Sequence, residues 1–453
     1  MAEPRVDIDA ALREAVGHHQ AGRLDQAARL YASVLKAAPK HPDALNLAGV
    51  AAAQAEDFVQ AESLIRRALA VAPGVAQFHS NLGLALKNQG RAADAVAAFE
   101  TALALDPRNA EALCNLGVAL YADGNKDGAA ARFEAAVTAA PDAPMAHALL
   151  GGLLFDRGRF ADAERHFRRA AALSGQYAYG AACFLDADYA AVADEADFAA
   201  RLAALPAVSG DVPAQGGGLL LVAGCDERYF RDFARAIPLS ANAASPGVDV
   251  HLHVVNPTPA FADEAARLKC RLNAVRLTVS TEHAPHATRA DLANLRFVRF
   301  AALMEAARRP MLMLDADSLV RKNVGDLPAT FADADVAIFT RPENVALNQR
   351  LLTSAIFARP TEAGRRFMRR LAAYIMGCAA RGLRPWYLDQ CAAAIVLKRT
   401  EFAGEPFSLA HLPQAYVDHA LGAQSAIWTG KGAGKNADRF QAALAAALGE
   451  VSP

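Results

Sequence analysis

Residues 81–124 read NLGLALKNQGRAADAVAAFETALALDPRNAEALCNLGVALYADG, and this stretch decides the fold of the first part of the chain. It holds one pattern twice, 34 residues apart: Asn81-Leu82-Gly83 returns as Asn115-Leu116-Gly117, and Gly90 as Gly124. Carried outward, the same step aligns Gly49, Gly83, Gly117 and Gly151 in one column and Ala27, Ala61, Ala95, Ala129 and Ala163 in a second. Pro39, Pro73, Pro107 and Pro141 make a third, and Tyr31, Ile65, Phe99, Phe133 and Phe167 a fourth. A fixed period of this length marks a stacked repeat architecture. The glycine column lets a first helix approach a second, and the alanine column sits where the two backbones come closest. The large apolar column fills space between neighbouring pairs. The proline column ends the second helix, because proline lacks the amide donor and clashes with the preceding turn. Gly22, Gly90, Gly124 and Gly158 share one register in the turn between the helices.

These columns resemble the tetratricopeptide repeat, in about five copies at 8–41, 42–75, 76–109, 110–143 and 144–177, after a short tail at 1–7. The first copy has Glu14 and Ala15 at its Leu-Gly positions, and the last has Gly175 in place of the proline. Atypical end repeats suit a solenoid, whose outermost faces have no neighbour. The resemblance implies a concave groove for a peptide or protein partner. Asn81 and Asn115 recur at one position and are candidates to line it.

The chain has 453 residues, 53% of them apolar, and a formal net charge of −1. That composition excludes wholesale disorder, and the charge balance excludes a polybasic nucleic-acid binder. Residues 1–177 carry 18 basic and 20 acidic side chains, whereas 212–453 carry 28 and 22, a net of +6 that favours an anionic small molecule there. Cys114, Cys183, Cys225, Cys270, Cys378 and Cys391 form no Cys-x-x-Cys pair, so reduced thiols in a cytoplasmic protein are expected. No charged-then-apolar leader opens the chain and no apolar run reaches about 18 residues, so no transmembrane segment is expected.

The period breaks at 178–214. Tyr179–Leu205 reads as helical, and the Pro/Gly-rich run from Pro206 to Gly218 marks a linker. From 215 to 453, short apolar runs alternate with amphipathic ones. Leu219–Ala223, Val248–Val255, Ala274–Val279, Pro310–Leu314, Val336–Thr340 and Ser354–Phe357 read as strands. Helices are expected at 227–244, 261–272, 292–308, 361–380 and 388–397. The expected architecture is an α/β sheet with helices on both faces, which binds ligands beyond the carboxyl ends of its strands.

Asp315-Ala316-Asp317 follows the buried run Met311–Leu314. In extended backbone, residues two apart point the same way, so both carboxylates can face one hard cation. Oxygen donors suit Mn²⁺ or Mg²⁺. The bare pattern also occurs at Asp7-Ile8-Asp9, Asp186-Ala187-Asp188 and Asp333-Ala334-Asp335, which read as solvated helix or loop acids. A pair of helix-capping aspartates is the alternative for 315–317.

Residues 219–435 as a whole resemble a nucleotide-diphospho-sugar transferase of the GT-A (Rossmann-like) fold, nearest to the glycosyltransferase family of glycogenin and bacterial lipopolysaccharide galactosyltransferases. Met313–Val320 with Asn323 is similar to that family's metal segment, which implies Asp315 and Asp317 as metal ligands. Leu219–Gly224 with Asp226 and Tyr229 resembles the first strand and the loop that holds the base. Arg296-Phe297-Val298-Arg299 lies where the family has an Arg-bearing helix. Trp386–Gln390 resembles its Asp-Gln segment, implying that Asp389 and Gln390 contact the transferred sugar. Ile427–Lys431 with Lys435 resembles its diphosphate loop. Two departures stand out. Leu352–Ala355 replaces an Asn-Ala-Gly, and Ile427 or Trp428 fills the slot of a third, histidine ligand, His419 being the nearest histidine.

The resemblances imply an all-α tetratricopeptide solenoid joined to a GT-A-like α/β domain. They imply a metal-dependent, retaining glycosyltransferase moving sugar from a nucleotide-sugar donor to a protein or glycan acceptor. A scaffold with a catalytically degenerate transferase domain, and a nucleotide-sugar hydrolase, are the competing readings.

Overall fold

The computed structural model describes residues 7–196, 198–385, 387–430 and 437–449, apart from the side chain of Arg289. The chain forms two compact units: residues 1–153 with 343–345, and residues 154–342 with 346–453.

In the first unit, α1 (Ile8–Gln20), α2 (Leu24–Ala37), α3 (Pro42–Gln54), α4 (Phe58–Val71), α5 (Ala76–Asn88), α6 (Ala92–Leu105), α7 (Ala110–Ala122) and α8 (Lys126–Ala139) each pack on the next. The first helices of successive repeats also touch, α1 on α3, α3 on α5 and α5 on α7. The division between the units falls inside α9 (Pro144–Asp156). The repeat columns explain this stacking. Ala27, Ala61, Ala95 and Ala129 are fully or almost fully buried. The large apolar column also works within each repeat: Phe99 lies over Gly83 and Phe133 over Gly117, each on the glycine of its own repeat. A Cβ on Gly83 would sit 2.5 Å from the Phe99 ring, so the two columns are one steric unit. Gly22, Gly90 and Gly124 take φ of 71°, 78° and 83°, and Glu56 holds the same left-handed place in the second repeat with φ 64°.

The second unit opens with α10 (Phe160–Leu173). The continuous helix expected over 179–205 is not formed. In its place stand a 3₁₀ segment (Gly175–Ala182), α11 (Tyr189–Val192) and α12 (Phe198–Ala203). Cys183, Phe184 and Leu185 are all buried, which a one-faced helix cannot achieve for consecutive residues. The Glu164 carboxylate accepts the amides of Leu185 (2.8 Å) and Asp186 (3.2 Å) in place of helical carbonyls.

There follow β1 (Ser209–Gly210), β2 (Leu220–Asp226), α13 (Glu227–Tyr229), a π-type turn (Phe230–Ala234), α14 (Ala236–Ala244), β3 (Asp249–Val255), α15 (Phe261–Cys270), β4 (Arg276–Glu282), α16 (Arg289–Ala307), β5 (Met311–Leu314), β6 (Ser318–Val320) and α17 (Leu327–Thr330). The unit continues with β7 (Val336–Thr340), β8 (Leu351–Ala358), α18 (Glu362–Ala380), α19 (Leu388–Phe402), β9 (Leu409–His411), β10 (Val417–Asp418), β11 (Ile427–Thr429) and α20 (Asp438–Leu448). Eight strands form a mixed sheet in the order β1-β4-β3-β2-β5-β8-β7-β9, in which β4, β3, β2 and β5 run parallel and β8 is antiparallel to β5. One face packs Leu221, Val250 and Leu252 against Ile237 and Ala241 of α14 and Leu268 of α15. On the other side α16 packs along β2 and β3. The chain moves from β2 outward to β3 and β4, then returns to lay β5 on the other side of β2. That reversal opens a crevice at the carboxyl ends of β2 and β5.

A second sheet, β10-β11-β6, pairs β6 antiparallel with β11. Among the described residues no helix is long and apolar enough to cross a membrane. The six cysteines are free thiols, all buried except Cys270.

Candidate active site

The crevice is a cleft of about 730 Å³. Asp226 and Tyr229 reach it from the end of β2, Arg296 from α16, Asp315 and Asp317 from the β5–β6 connection, and Asp389 and Gln390 from the first turn of α19. Arg299, Lys431 and Lys435 are the other residues singled out in the sequence. Lys431, Lys435 and Trp386 lie outside the described residues.

Both carboxylates line the cleft, but by a different route from the one expected. Asp315 follows the last β5 residue, and Ala316 and Asp317 form a turn before β6. Strand alternation therefore does not place the pair, which lies in the connection between β5 and β6. The Asp315 amide donates to the Ser354 carbonyl (2.8 Å), and Gly430 donates its amide to the Asp317 carbonyl (2.9 Å). Two of the other Asp-x-Asp copies hold structure: Asp7 caps α1, accepting the Ala10 amide at 3.1 Å, and Asp335 accepts from Thr361 and from the Ser408 amide.

The side chains are tightly partnered. The Tyr229 hydroxyl donates to Asp317 Oδ2 at 2.9 Å, and its ring rests on Phe233 with centroids 4.8 Å apart. Asp226 Oδ1 accepts the Tyr229 amide at 2.7 Å, so Asp226 is a helix cap as well as a lining residue. The Arg296 guanidinium is ion-paired to Asp315 through one nitrogen and to Asp389 through the other (3.3 Å). Asp389 Oδ2 also accepts from Thr353 Oγ1 at 2.6 Å. Burial pulls Arg296 below its ordinary pKa, with Asp389 and Asp317 opposing. Gly224 makes room for its stem, since a Cβ there would lie 3.2 Å from that of Arg296.

Arg299 does not line the cleft. One turn further along α16, it is paired to Glu282 at the end of β4 and donates to the Pro206 carbonyl (2.9 Å). Glu282 is fully buried and draws the nearest cation. Burial pushes the Glu282 carboxyl up, but His253 and Arg299 outweigh it and hold it below its ordinary value. His251 and His253, left out of the site by sequence, both bond Ser280 Oγ at 2.9 Å beneath α16.

The slot of the expected third metal ligand is filled by packing. Ile427 and Trp428 are buried, and the Trp428 ring lies 3.7 Å beneath the Arg321 guanidinium. His419 Nε2 is hydrogen-bonded to Ser354 Oγ at 3.0 Å. Among the described residues no three His, Cys, Asp or Glu side chains gather as a metal cage. The donors present still fit a hard divalent ion: Asp315 and Asp317 offer carboxylate oxygens, and water or phosphate oxygens would complete the shell, as is usual for magnesium.

Among the described residues the cleft's lining is negative. Asp226, Asp232, Asp315, Asp317 and Asp389 face only Arg228 and Arg296 among the lining residues. The positive excess of residues 212–453 is not gathered here among the described residues, contrary to the expectation from the charge count.

In the repeat unit, Asn46 Oδ1 accepts from Asn81 Nδ2 (2.9 Å), Asn81 Oδ1 from Gln77 Nε2 (3.2 Å), and Glu111 from the same Gln77 amide (2.7 Å). This polar ladder crosses α3, α5 and α7. Asn46 was missed in the sequence because it lies 35 positions before Asn81, one residue off the repeat register.

Tetratricopeptide repeat family models match residues 18–83, 80–144 and 122–179. The N-terminal region is a tetratricopeptide array. Solved structures similar to the array include a thermophilic tetratricopeptide protein of Thermus thermophilus, 21% identical, covering 38% of this chain and 98% of that one with a TM-score of 0.35. Pseudomonas aeruginosa PilF is 24% identical, covering 43% of this chain and 87% of its own, with a TM-score of 0.37. YrrB, described as a tetratricopeptide protein with an unusual peptide-binding site, is 19% identical over 38% of this chain and 90% of its own, with a TM-score of 0.29. No curated protein matches the chain.

Proposed function

We propose that the second unit is a metal-dependent glycosyltransferase using a nucleotide-diphospho-sugar, and that the tetratricopeptide array recruits a peptide or protein, the acceptor or its carrier. One observation carries this reading. Asp226, Tyr229, Arg296, Asp315, Asp317, Asp389 and Gln390, drawn from four separate segments, line one cleft at the reversal point of a mostly parallel sheet. Such crevices are where open α/β sheets bind ligands.

On this reading Asp315 and Asp317 hold Mn²⁺ or Mg²⁺, which when bound supplies Lewis-acid neutralisation of a diphosphate leaving group. The negative lining gives a dianionic diphosphate little reason to enter without a cation. Tyr229 positions the Asp317 carboxylate. Asp389, fixed by Thr353 and Arg296, orients sugar hydroxyls beside Gln390. Lys431 follows directly on Gly430, the residue bonded to Asp317, with Lys435 four positions further on, and the two extend the proposal to the diphosphate.

A second reading, an adaptor whose transferase domain has lost activity, is favoured by the Arg296–Asp315 pair and by the buried Ile427 and Trp428. Nucleoside diphosphate release from a panel of nucleotide sugars with Mn²⁺, with and without acceptor proteins, separates the two. Transfer predicts turnover with at least one donor and its loss, by about a hundredfold or more, in a folded Asp317→Ala variant. No release across the panel sinks the enzymatic reading and leaves the adaptor, whereas release untouched by Asp317→Ala removes the assignment of the site to this acidic pair. Release indifferent to every acceptor points to hydrolysis.

A further inference from the structure

We infer that Arg296 is a built-in counter-cation that competes with the divalent ion for Asp315, so that the metal is admitted only as the guanidinium gives up that carboxylate. The inference rests on the glycosyltransferase reading for the identity of the competing ion, but its physical basis is the charge arrangement.

Three observations converge. The guanidinium spans Asp315 and Asp389, which lie on different segments and have side chains only 18% and 17% exposed. Arg296 is itself enclosed, and among the described residues its Nε has no hydrogen-bond partner, so apart from the Phe297 ring beneath it the guanidinium is held by the two carboxylates and not by a saturated network. Guanidinium cannot shed its proton under ordinary conditions, so its charge is permanent. A divalent ion on Asp315 would thus meet a fixed cation sharing the same carboxylate, within a few ångströms and shielded from water, where like charges repel strongly.

The other anchor makes release possible. Asp389 remains to Arg296 when Asp315 is given up, and Thr353 holds Asp389 in place. The freed guanidinium nitrogen then faces the cleft as a donor for an anion. Cation and anion binding become linked: each relieves a cost that the other would otherwise meet, and linkage requires the enhancement to be reciprocal.

The experiment measures Mn²⁺ alone, by electron paramagnetic resonance and calorimetry on the full chain, and then inorganic pyrophosphate with and without Mn²⁺. Arg296→Gln should tighten Mn²⁺ about tenfold or more and reduce the mutual enhancement between Mn²⁺ and pyrophosphate. Arg296→Lys, which keeps the charge, should stay near wild type. Asp389→Asn, which removes the guanidinium's second anchor, should weaken Mn²⁺, and this opposite sign supports the inference even where Arg296→Gln folds poorly. Equal or weaker Mn²⁺ binding in folded Arg296→Gln overturns the inference and leaves the glycosyltransferase reading standing. Absence of Mn²⁺ binding in wild type and all variants overturns both.

Discussion

The Tyr229 hydroxyl reaches Asp317 Oδ2 at 2.9 Å across 88 positions of sequence, joining the end of β2 to the turn after β5. A hydrogen bond to a carboxylate is stronger than a neutral one, and here it fixes the carboxylate's direction. Tyr229→Phe keeps the stacked ring and removes only this donor. We expect the fold to hold within about 2 kcal/mol and, if the unit is the proposed transferase, its turnover to fall roughly tenfold in kcat with little change in KM. Thermal melts and steady-state kinetics check both halves.

Glu56 occupies a left-handed turn position, φ 64°, that Gly22, Gly90 and Gly124 fill in the sister repeats. A side chain in that region carries a cost of about 1 kcal/mol that glycine avoids. Glu56→Gly should raise stability by about 0.5–1 kcal/mol, seen as a higher urea midpoint with an unchanged slope. An unchanged or lower midpoint removes the argument.

Gly83 and Phe99 form a matched pair. Gly83→Ala should cost about 1–3 kcal/mol, because its Cβ would press on a fully buried ring. Phe99→Leu alone leaves a void. The double variant should cost less than the sum of the singles, a coupling that a denaturation cycle measures directly.

These cases show what the sequence could and could not convey. The repeat columns were legible because packing imposed one fixed step on Gly83, Phe99 and their counterparts. Glu56 and Asn46 escaped, the first because its backbone keeps the pattern while its residue type does not, the second because it sits one residue out of register. In the α/β part, the buried run before Asp315 marked its strand, and the Asp pair was visible. The pairing of Arg296 with Asp315 and Asp389 was not, since it joins segments 19 and 93 positions apart. Nor was the diversion of Arg299 to Glu282, because nothing local marks a carboxylate as buried. The pattern over 227–244 reads as one helix, yet a π-type turn interrupts it at Phe230–Ala234.

Acid should loosen the α/β unit. Burial draws His251 down to about 3, His253 adds to the effect, and Asp211 opposes it. Thr278 and Ser280 bond its ring nitrogens. Between an unfolded value of about 6.5 and that folded value, the unfolded chain binds a proton that the fold refuses, so stability falls as pH drops. Glu282, held low in the fold, acts in the same direction only below its ordinary 4.5. From pH 7 to 5 we therefore expect a loss of about 2 kcal/mol that is missing in His251→Gln, read as the difference between their urea midpoints at each pH. Parallel pH profiles for the two proteins would refute the assignment.

The small sheet has a consequence for biogenesis. Ser318 and Thr429, bonded side chain to side chain at 3.1 Å, are separated by 111 positions. On the ribosome, the turn bearing Asp317 emerges long before the strand that braces it. Until then the acidic turn lacks its lateral support, and a nascent chain stalled before β11 should display the cleft's carboxylates without the rigidity of the finished fold.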